Sequence, residues 1–312
     1  MPTVTVVVPV HNRAATVGRA VRSILSQTFQ NFEIVVVDDG SNDGSAVAAQ
    51  AIGDPRILVV RHERNRGASA ARNTGIRSGS APFVAFLDSD DEAFPTRLEK
   101  QLSVFEHASD RVGLVYSGAE RVLEDGEIVR DIPIDRFDLP RVLLTTNVIG
   151  GTSVGMARRR VLDAIGGFDE QLQYTEERDL WLRISQRADV RCVPEPLVRI
   201  AQQTRQGRLS WNVEAVSRGR EMFCRKHRDA LIDHGLLHIY LRESGWWEQR
   251  YAQNLREARR LYRASLVARP YTPIAYFLLL SACMPVSWLD SVARFKHQIA
   301  RWFSPVLMAH KS

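Results

Sequence analysis

The sequence is poor in cysteine. Its 312 residues hold three, Cys192, Cys224 and Cys283, far apart and in no Cys-x-x-Cys or Cys/His spacing. A dispersed, odd-numbered set excludes a disulfide scaffold and a structural zinc site, and suits a reducing cytosol. The roughly 20-residue apolar run that a membrane-spanning helix needs is also missing. The most apolar stretch, Tyr271 to Leu289, contains Pro273 and Pro285 and reads as a buried helix or one lying on a membrane surface. The opening MPTVTVVVPV has no basic n-region and its apolar run stops at His11, so no signal peptide is expected. Neither G-x-G-x-x-G nor a Walker sequence occurs, which argues against dinucleotide and P-loop binding. Internal repeats and low-complexity tracts are lacking too.

What is present is the composition of a folded globular chain, 45% hydrophobic and 25% charged, so disorder is not expected. The net charge of +6 is unevenly placed: from Val213 onward 16 Lys/Arg stand against 8 Asp/Glu, while the first 212 residues carry −2. A basic tail suits an anionic membrane or nucleic acid, and solvated helix faces show the same balance.

Four valine-rich runs bounded by turn residues, Val4 to Val10, Glu33 to Val37, Ile57 to Val60 and Phe83 to Leu87, read as buried strands. Helical stretches separate them. Ala14 to Gln27 puts Val17, Ala20, Val21, Ile24 and Leu25 on one face, and Ala68 to Arg77 follows Gly67. Strands alternating with helices predict an α/β fold with a mostly parallel sheet flanked by helices. Further along, the pattern predicts a helix from Pro95 to about Ala108, a strand near Val112 to Tyr116 and a hairpin turning at Glu124, Asp125 and Gly126. A helix from near Arg158 to the Gly166–Gly167 pair and another over about Arg178 to Arg187 follow. Past Trp211 only helical patterns remain. The expected organisation is therefore residues 1–212 as an α/β domain and 213–312 as a helical C-terminal region.

Ligands of open α/β sheets bind beyond the strand C-termini, and three distant segments end strands there: Pro9-Val10-His11-Asn12-Arg13, Asp38-Asp39-Gly40-Ser41 and Asp88-Ser89-Asp90-Asp91. An Asp-x-Asp spacing after a buried strand suits a hard divalent cation, though such triplets also mark solvated turns. Asp38 and Asp39 suit a turn or helix cap, or a carboxylate accepting the imide N–H of a pyrimidine base. Arg64, Arg66 and Arg72 surround the helix start at Asn65-Arg66-Gly67, a place that favours anions such as a diphosphate. Glu176, Glu177 and Asp179 fall just before and into the Arg178 to Arg187 helix. They are either an acidic helix start favoured by the dipole or a general base with neighbours that raise its proton affinity.

In this order the segments VVVPVHNR, ILSQTFQNFEIVVVDDGSNDGS, NRGASAARNTGI, FVAFLDSDDEAFPTRLEKQ, GGFDE and EERDLWLRI resemble the family 2 glycosyltransferases, over roughly Val4 to Ser210. The resemblance implies a GT-A type, Rossmann-like fold. It also implies a nucleoside pocket lined by Pro9, His11, Arg13 and Asp39, with Asp39 reading the base and His11 standing where an aromatic is usual. Arg72 would approach phosphates or base, Asp88 and Ser89 the ribose or donor sugar, and Asp90 would hold Mg²⁺ or Mn²⁺. The catalytic base is commonly the second acid of a Glu-Asp pair, a position that falls on Glu177, one methylene longer than the usual aspartate and preceded by Glu176, so either glutamate could serve. The loop from Arg199 to Ser210 carries Gln202, Gln203 and Gln206 where relatives often have a histidine. No Gln-x-x-Arg-Trp sequence is present, which favours transfer of single residues over processive synthesis.

One base candidate, one metal motif and no nucleophile-plus-acid pair predict an inverting single displacement. The expected donor is a nucleoside-diphosphate sugar, UDP first and dTDP and GDP behind it, and the acceptor a saccharide or lipid-linked saccharide. A scaffold of the same fold without transfer, and a nucleotidyltransferase, are the competing readings; HNRAAT stands where the latter needs a Gly-rich, Lys/Arg-bearing loop. No nucleic-acid partner is expected. The expected location is cytoplasmic, with the basic tail and Trp246, Trp247, Trp288 and Trp302 allowing peripheral contact with an anionic membrane on its inner face.

Overall fold

The computed structural model describes residues 1–123, 126–172, 174–201 and 212–283. Glu124, Asp125, Gln202, Gln203, Gln206, Trp288 and Trp302 lie outside the described residues. The chain divides into two compact units, Met1–Arg208 and Leu209–Ser312.

The first unit begins with the expected alternation: β1 (Val4–Val10), α1 (Ala14–Leu25), β2 (Phe32–Asp38), α2 (Ser45–Gln50), β3 (Ile57–Arg61), α3 (Ala68–Ser78) and β4 (Phe83–Phe86). Val6, Val7 and Val8 of β1 and Val35, Val36 and Val37 of β2 have no exposed surface. Consecutive buried residues mark strands covered on both faces, where alternation would mark one face in water. On α1 the buried residues are Val17, Ala20, Val21 and Ile24, four of the five read from the sequence; Leu25, at the helix end, is only half-buried.

Next come β5 (Glu92–Ala93), α4 (Arg97–His107), β6 (Val112–Val122), β7 (Ile128–Asp131), α5 (Leu139–Leu143) and a 3-10 turn at Thr152–Val154. β8 (Gly155–Arg158), α6 (Arg159–Ile165), α7 (Glu176–Ser185) and β9 (Asp189–Ala201) complete the unit. The sheet runs β3-β2-β1-β4-β8-β6-β9-β5, with β7 on β6. Its first four strands are parallel as expected. Beyond them it is mixed: β8 is antiparallel to β4 and β6, β9 is parallel to β6, and β7 forms a hairpin with β6 because the connection is too short for a crossover. Chain order reverses between β1 and β4, the switch point beside which such sheets hold ligands.

Three strands escape a sequence reading. β5 has only two residues, β8 has four, and β9 contains Pro194, Pro196 and several charges. Its pairing with β6 jumps from Val193 opposite Ser117 to Pro196 opposite Gly118, and this bulge accommodates the prolines. Helix α7 starts at Glu176, earlier than expected, so both glutamates occupy its first turn.

Polar residues of α4 fasten the strand ends. The fully buried Arg97 donates through Nη2 to the carbonyls of Phe86 (2.9 Å) and Gly155 (3.2 Å), where the β4–β8 ladder stops. Gln101 Nε2 reaches the carbonyls of Val154 (2.8 Å) and Val115 (3.2 Å). Burial pulls the Arg97 pKa down to about 10, against the opposing pull of Asp91.

The second unit is helical among the described residues: α8 (Val213–Lys226), α9 (Arg228–Asp233), α10 (Leu237–Arg250), α11 (Leu255–Ala268) and α12 (Pro273–Ser281). Asn212 and Asn254 cap α8 and α11 by accepting Ala215 N–H and Glu257 N–H. Ala258, Tyr262, Leu278 and Ala282 form a core cluster against which Trp246 packs, and Trp247 packs on Tyr251 at 4.5 Å. These two tryptophans therefore belong to helix packing, and the sequence expectation of a membrane-facing role does not rest on them. Val267, Tyr271, Tyr276 and Leu280 are the exposed large apolar residues of α11, α12 and their connection. Among the described residues no helix is long and apolar enough to cross a membrane.

Candidate active site

Beyond the ends of β1, β2 and β4 the three polar segments meet. The two aspartates after β2 divide the roles read for them. Asp38 is buried and takes the turn, Oδ1 accepting Ser41 N–H at 3.0 Å and Oδ2 lying 3.4 Å from Arg61 Nε. The buried Asp39 carboxylate reaches across to the chain before α3. It accepts Arg66 N–H at Oδ1 (2.9 Å) and Gly67 N–H at Oδ2 (2.7 Å), while His62 Nδ1 lies 2.7 Å from Oδ1. His62 Nε2 faces Thr74 Oγ1 at 3.0 Å, which orients the ring from behind. Gly40, at φ +70°, is needed here: a Cβ would stand 2.5 Å from the Arg64 carbonyl carbon. The Arg66 and Gly67 N–H groups, read from the sequence as an anion cradle, are thus occupied by an internal carboxylate. Among the described residues Asp39 Oδ2 accepts one bond, and a carboxylate oxygen has capacity for a second.

The segment after β1 lies alongside. His11 Nδ1 donates to the Asp39 carbonyl at 2.9 Å, Asn12 adopts φ +52° and takes Ser41 Oγ on its N–H, and Arg13 N–H donates to Ser45 Oγ. Pro9 stands opposite Val37 in the ladder. Arg13 Nε is 3.9 Å from Asp90 Oδ2, and Arg19 Nη2 donates to the Asp90 carbonyl at 3.1 Å, so the first and fourth strand ends share one rim.

The densest charge cluster is centred on Arg72. Helix α3 comes close to β1 because Gly75 faces Val7, where a Cβ would stand 2.3 Å from Cγ1. From this position Arg72 Nη2 donates to Asp88 Oδ1 (2.9 Å) and Nη1 to Glu176 Oε1 (3.4 Å). Burial alone weakens its charge; Asp88, Glu176 and Glu177 outweigh that and push its proton affinity above the ordinary arginine value. Ser89 and Asp91 are buried, whereas Asp88 and Asp90 keep exposed surface.

The acids of α7 are not one equivalent cluster. Asp179, fully buried, pairs with Arg183 at 2.7 Å, and Glu176 pairs with Arg72, its Oε2 buried without a hydrogen-bond donor among the described residues. Glu177 keeps part of its surface open and, among the described residues, forms no ion pair. Burial of its carboxyl, together with the charge of Glu176, pushes its pKa up to about 8, against the opposing pull of Arg72.

Other residues of the site gave no signal in the sequence. Thr152 Oγ1 donates to Asp88 Oδ1 at 3.2 Å, and Ser153 Oγ accepts Asp88 N–H at 3.0 Å while donating to Asp91 Oδ2 at 2.6 Å. Asn73 explains why two separated motifs belong together: its amide donates to the Phe168 carbonyl and Glu170 and accepts Phe168 N–H, fastening α3 to the Gly166–Glu170 turn. Among the described residues no three His, Cys, Asp or Glu side chains converge as a metal cage. Asp90 keeps exposed surface at this rim and has the hard oxygen donors that Mg²⁺ or Mn²⁺ prefers.

Residues 5–166, just over half the chain, match the model of the family described as Glycosyl transferase family 2. The succinoglycan biosynthesis protein ExoO of Rhizobium meliloti is 29% identical over 98% of this chain and 89% of its own length. Against three uncharacterized rickettsial glycosyltransferases, 28–29% identical, the chain spans only about a third of their length. Among solved structures, S. aureus TarS 1-349 in complex with UDP-GlcNAc is similar at a TM-score of 0.63 and 18% identity, over 95% of this chain and 92% of that one. The mannosyltransferase PcManGT of Pyrobaculum calidifontis, in complex with GDP-Man and Mn²⁺, is similar at 0.60 and 20% identity, over 97% and 88%.

Proposed function

The chain belongs to Glycosyl transferase family 2 and has a GT-A-like α/β fold; on that footing we propose that it transfers a sugar from a nucleoside-diphosphate sugar to a saccharide or lipid-linked saccharide hydroxyl, with inversion. The observation that carries this reading is the pairing at the switch point of Glu177, a carboxylate of raised proton affinity, with the Arg72–Asp88 cluster. Family and fold make a nucleotide-sugar donor the first candidate, and the UDP-GlcNAc and GDP-Man bound to TarS and PcManGT are the chemistry to try.

In this reading Asp39, with Pro9 and His11 beside it, receives the base on its remaining acceptor position. Arg13 and Arg72 face the diphosphate, and Asp88 and Ser89 the ribose or sugar. Asp90 holds Mg²⁺ or Mn²⁺, which when bound neutralises charge growing on the departing nucleoside diphosphate. Glu177 takes the proton of the acceptor hydroxyl as that oxygen attacks the anomeric carbon from the face opposite the leaving group. A carboxylate far less basic than an alkoxide cannot deprotonate the hydroxyl beforehand, so proton transfer accompanies bond formation. A pKa raised toward 8 makes Glu177 a better acceptor for it than an ordinary glutamate. Glu176, held by Arg72, positions that cation and not the acceptor proton.

For the second unit the reading is a surface for a lipid-linked acceptor at the inner face of the membrane, supported by the +8 balance after position 212 and by exposed Val267, Tyr271, Tyr276 and Leu280. Sedimentation with anionic liposomes tests it; a chain left in the supernatant contradicts it. Transfer itself is tested by incubating the chain with UDP-glucose or UDP-GlcNAc, Mn²⁺ and lipid-linked saccharides, and by reading the anomeric configuration of the product by NMR. A retained configuration would overturn the single displacement.

A further inference from the structure

The Asp88–Asp91 loop and the first turn of α7 carry the proposed reaction, and the segment between α5 and β8 touches both elements. Two side chains of α7 grip one end of that segment: Arg178 Nη1 donates to the Thr145 carbonyl at 3.1 Å, and Trp181 Nε1 to the Gly150 carbonyl at 3.1 Å. Asn147 folds the middle, its amide donating to the Gly150 carbonyl and accepting Gly150 N–H. At the other end Thr152 and Ser153 hold Asp88 and Asp91 through the three bonds already described. Trp181, Thr152 and Ser153 are all buried, and a Cβ on Gly155 would stand 2.7 Å from the Trp181 ring, so the indole is wedged against the start of β8. A hydroxyl has one proton and two lone pairs, and Ser153 uses both functions on one loop. Alanine can replace neither.

We propose that residues 145–154 form a strap that fixes the spacing between the base-bearing turn of α7 and the Asp88–Asp91 loop, with Ser153 and Trp181 as its positioning residues. The inference rests on the proposed function for what Glu177 and Asp90 do, while the mechanical coupling rests on the hydrogen bonds alone. Spacing of this kind matters because a misplacement of about 1 Å between reacting groups costs on the order of 10²-fold in rate. A strap shared by both elements also has a signature that two independent packing contacts lack: loosening either end loosens both.

Hydrogen exchange on the full chain reads that signature without any ligand. Ser153→Ala is expected to speed exchange in residues 87–92 and, through the strap, in residues 175–179, by about tenfold each. Trp181→Phe, or Arg178→Met should the indole prove indispensable for folding, is expected to do the same from the other end. The doubly substituted chain should then exchange less than the product of the single effects. Each substitution deprotecting only the element it touches would overturn the strap. Titration with UDP and Mn²⁺ separates the two claims: Ser153→Ala should weaken Mn²⁺-dependent UDP binding about tenfold. An unaltered chain that binds none of UDP, dTDP, GDP and CDP would remove the proposed function and leave the exchange result to decide the strap.

Discussion

Arg72 and Glu176 form a buried ion pair, Nη1 to Oε1 at 3.4 Å, with their side chains 7% and 9% exposed. The pair separates two adjacent glutamates that the sequence leaves equivalent. Glu176 is committed to a cation that also holds Asp88, and Glu177 is left with a proton affinity suited to acid–base work.

Replacing the proposed base should therefore act on turnover and not on nucleotide affinity. Glu177→Gln is expected to lower the rate of donor consumption by at least about 10²-fold, with UDP affinity changed less than about twofold. Near-normal turnover would remove Glu177 from the role. Glu176→Gln should instead weaken the Arg72 bridge and lower folding stability as well as rate, measured by thermal melts beside the assay.

The raised pKa of Glu177 sets a pH profile. Only the ionised carboxylate accepts a proton, so turnover should climb with pH, pass half its maximum near pH 8 and level off above it. Stability runs the other way. Between the ordinary value of 4.5 and about 8 the folded chain keeps a proton that the unfolded chain releases, so this group's contribution is full below 4.5 and lost as pH rises through 8. Glu177→Gln should accordingly melt a few degrees higher than the unaltered chain at pH 8 and equally at pH 4. A constant Tm difference across that range would contradict the shift.

Two aspartates should weaken UDP binding in distinguishable ways. Asp90→Asn is expected to lose at least about tenfold in affinity with Mn²⁺ present and little with chelator. Asp39→Asn should lose a similar factor under both conditions, because it frees the turn at Arg66 and Gly67 whose N–H groups it holds. Calorimetry with and without Mn²⁺ reads both; an Asp39→Asn loss confined to the Mn²⁺ experiment would contradict the separation.

Arg72→Met should leave Asp88, Glu176 and Glu177 without their shared cation. Breaking a buried ion pair from one side costs about 3–5 kcal/mol, which urea denaturation would register as a lowered midpoint. An unchanged midpoint would mean that the carboxylates take up protons at little cost.

Much of this arrangement was legible in the sequence because burial on both faces leaves a plain mark. The valines of β1 and β2 and the stripe on α1 each announce their element, and the polar groups at the strand ends announce the site. What stayed hidden depends on contacts between distant segments. β9 has prolines and charges that no strand pattern admits, and it exists because β6 offers a long edge with a bulge. The N–H groups at Arg66 and Gly67 look like an anion site until Asp39 is seen to occupy them. Thr152 and Ser153 are two small hydroxyls in a loop, and only their distances to Asp88 and Asp91 reveal a task.

The measurement that bears most directly on the account is calorimetric titration of the chain with UDP, dTDP, GDP and CDP, each with Mn²⁺ and again with chelator. The account predicts saturable, Mn²⁺-dependent binding with UDP the strongest; failure of all four to bind would contradict it.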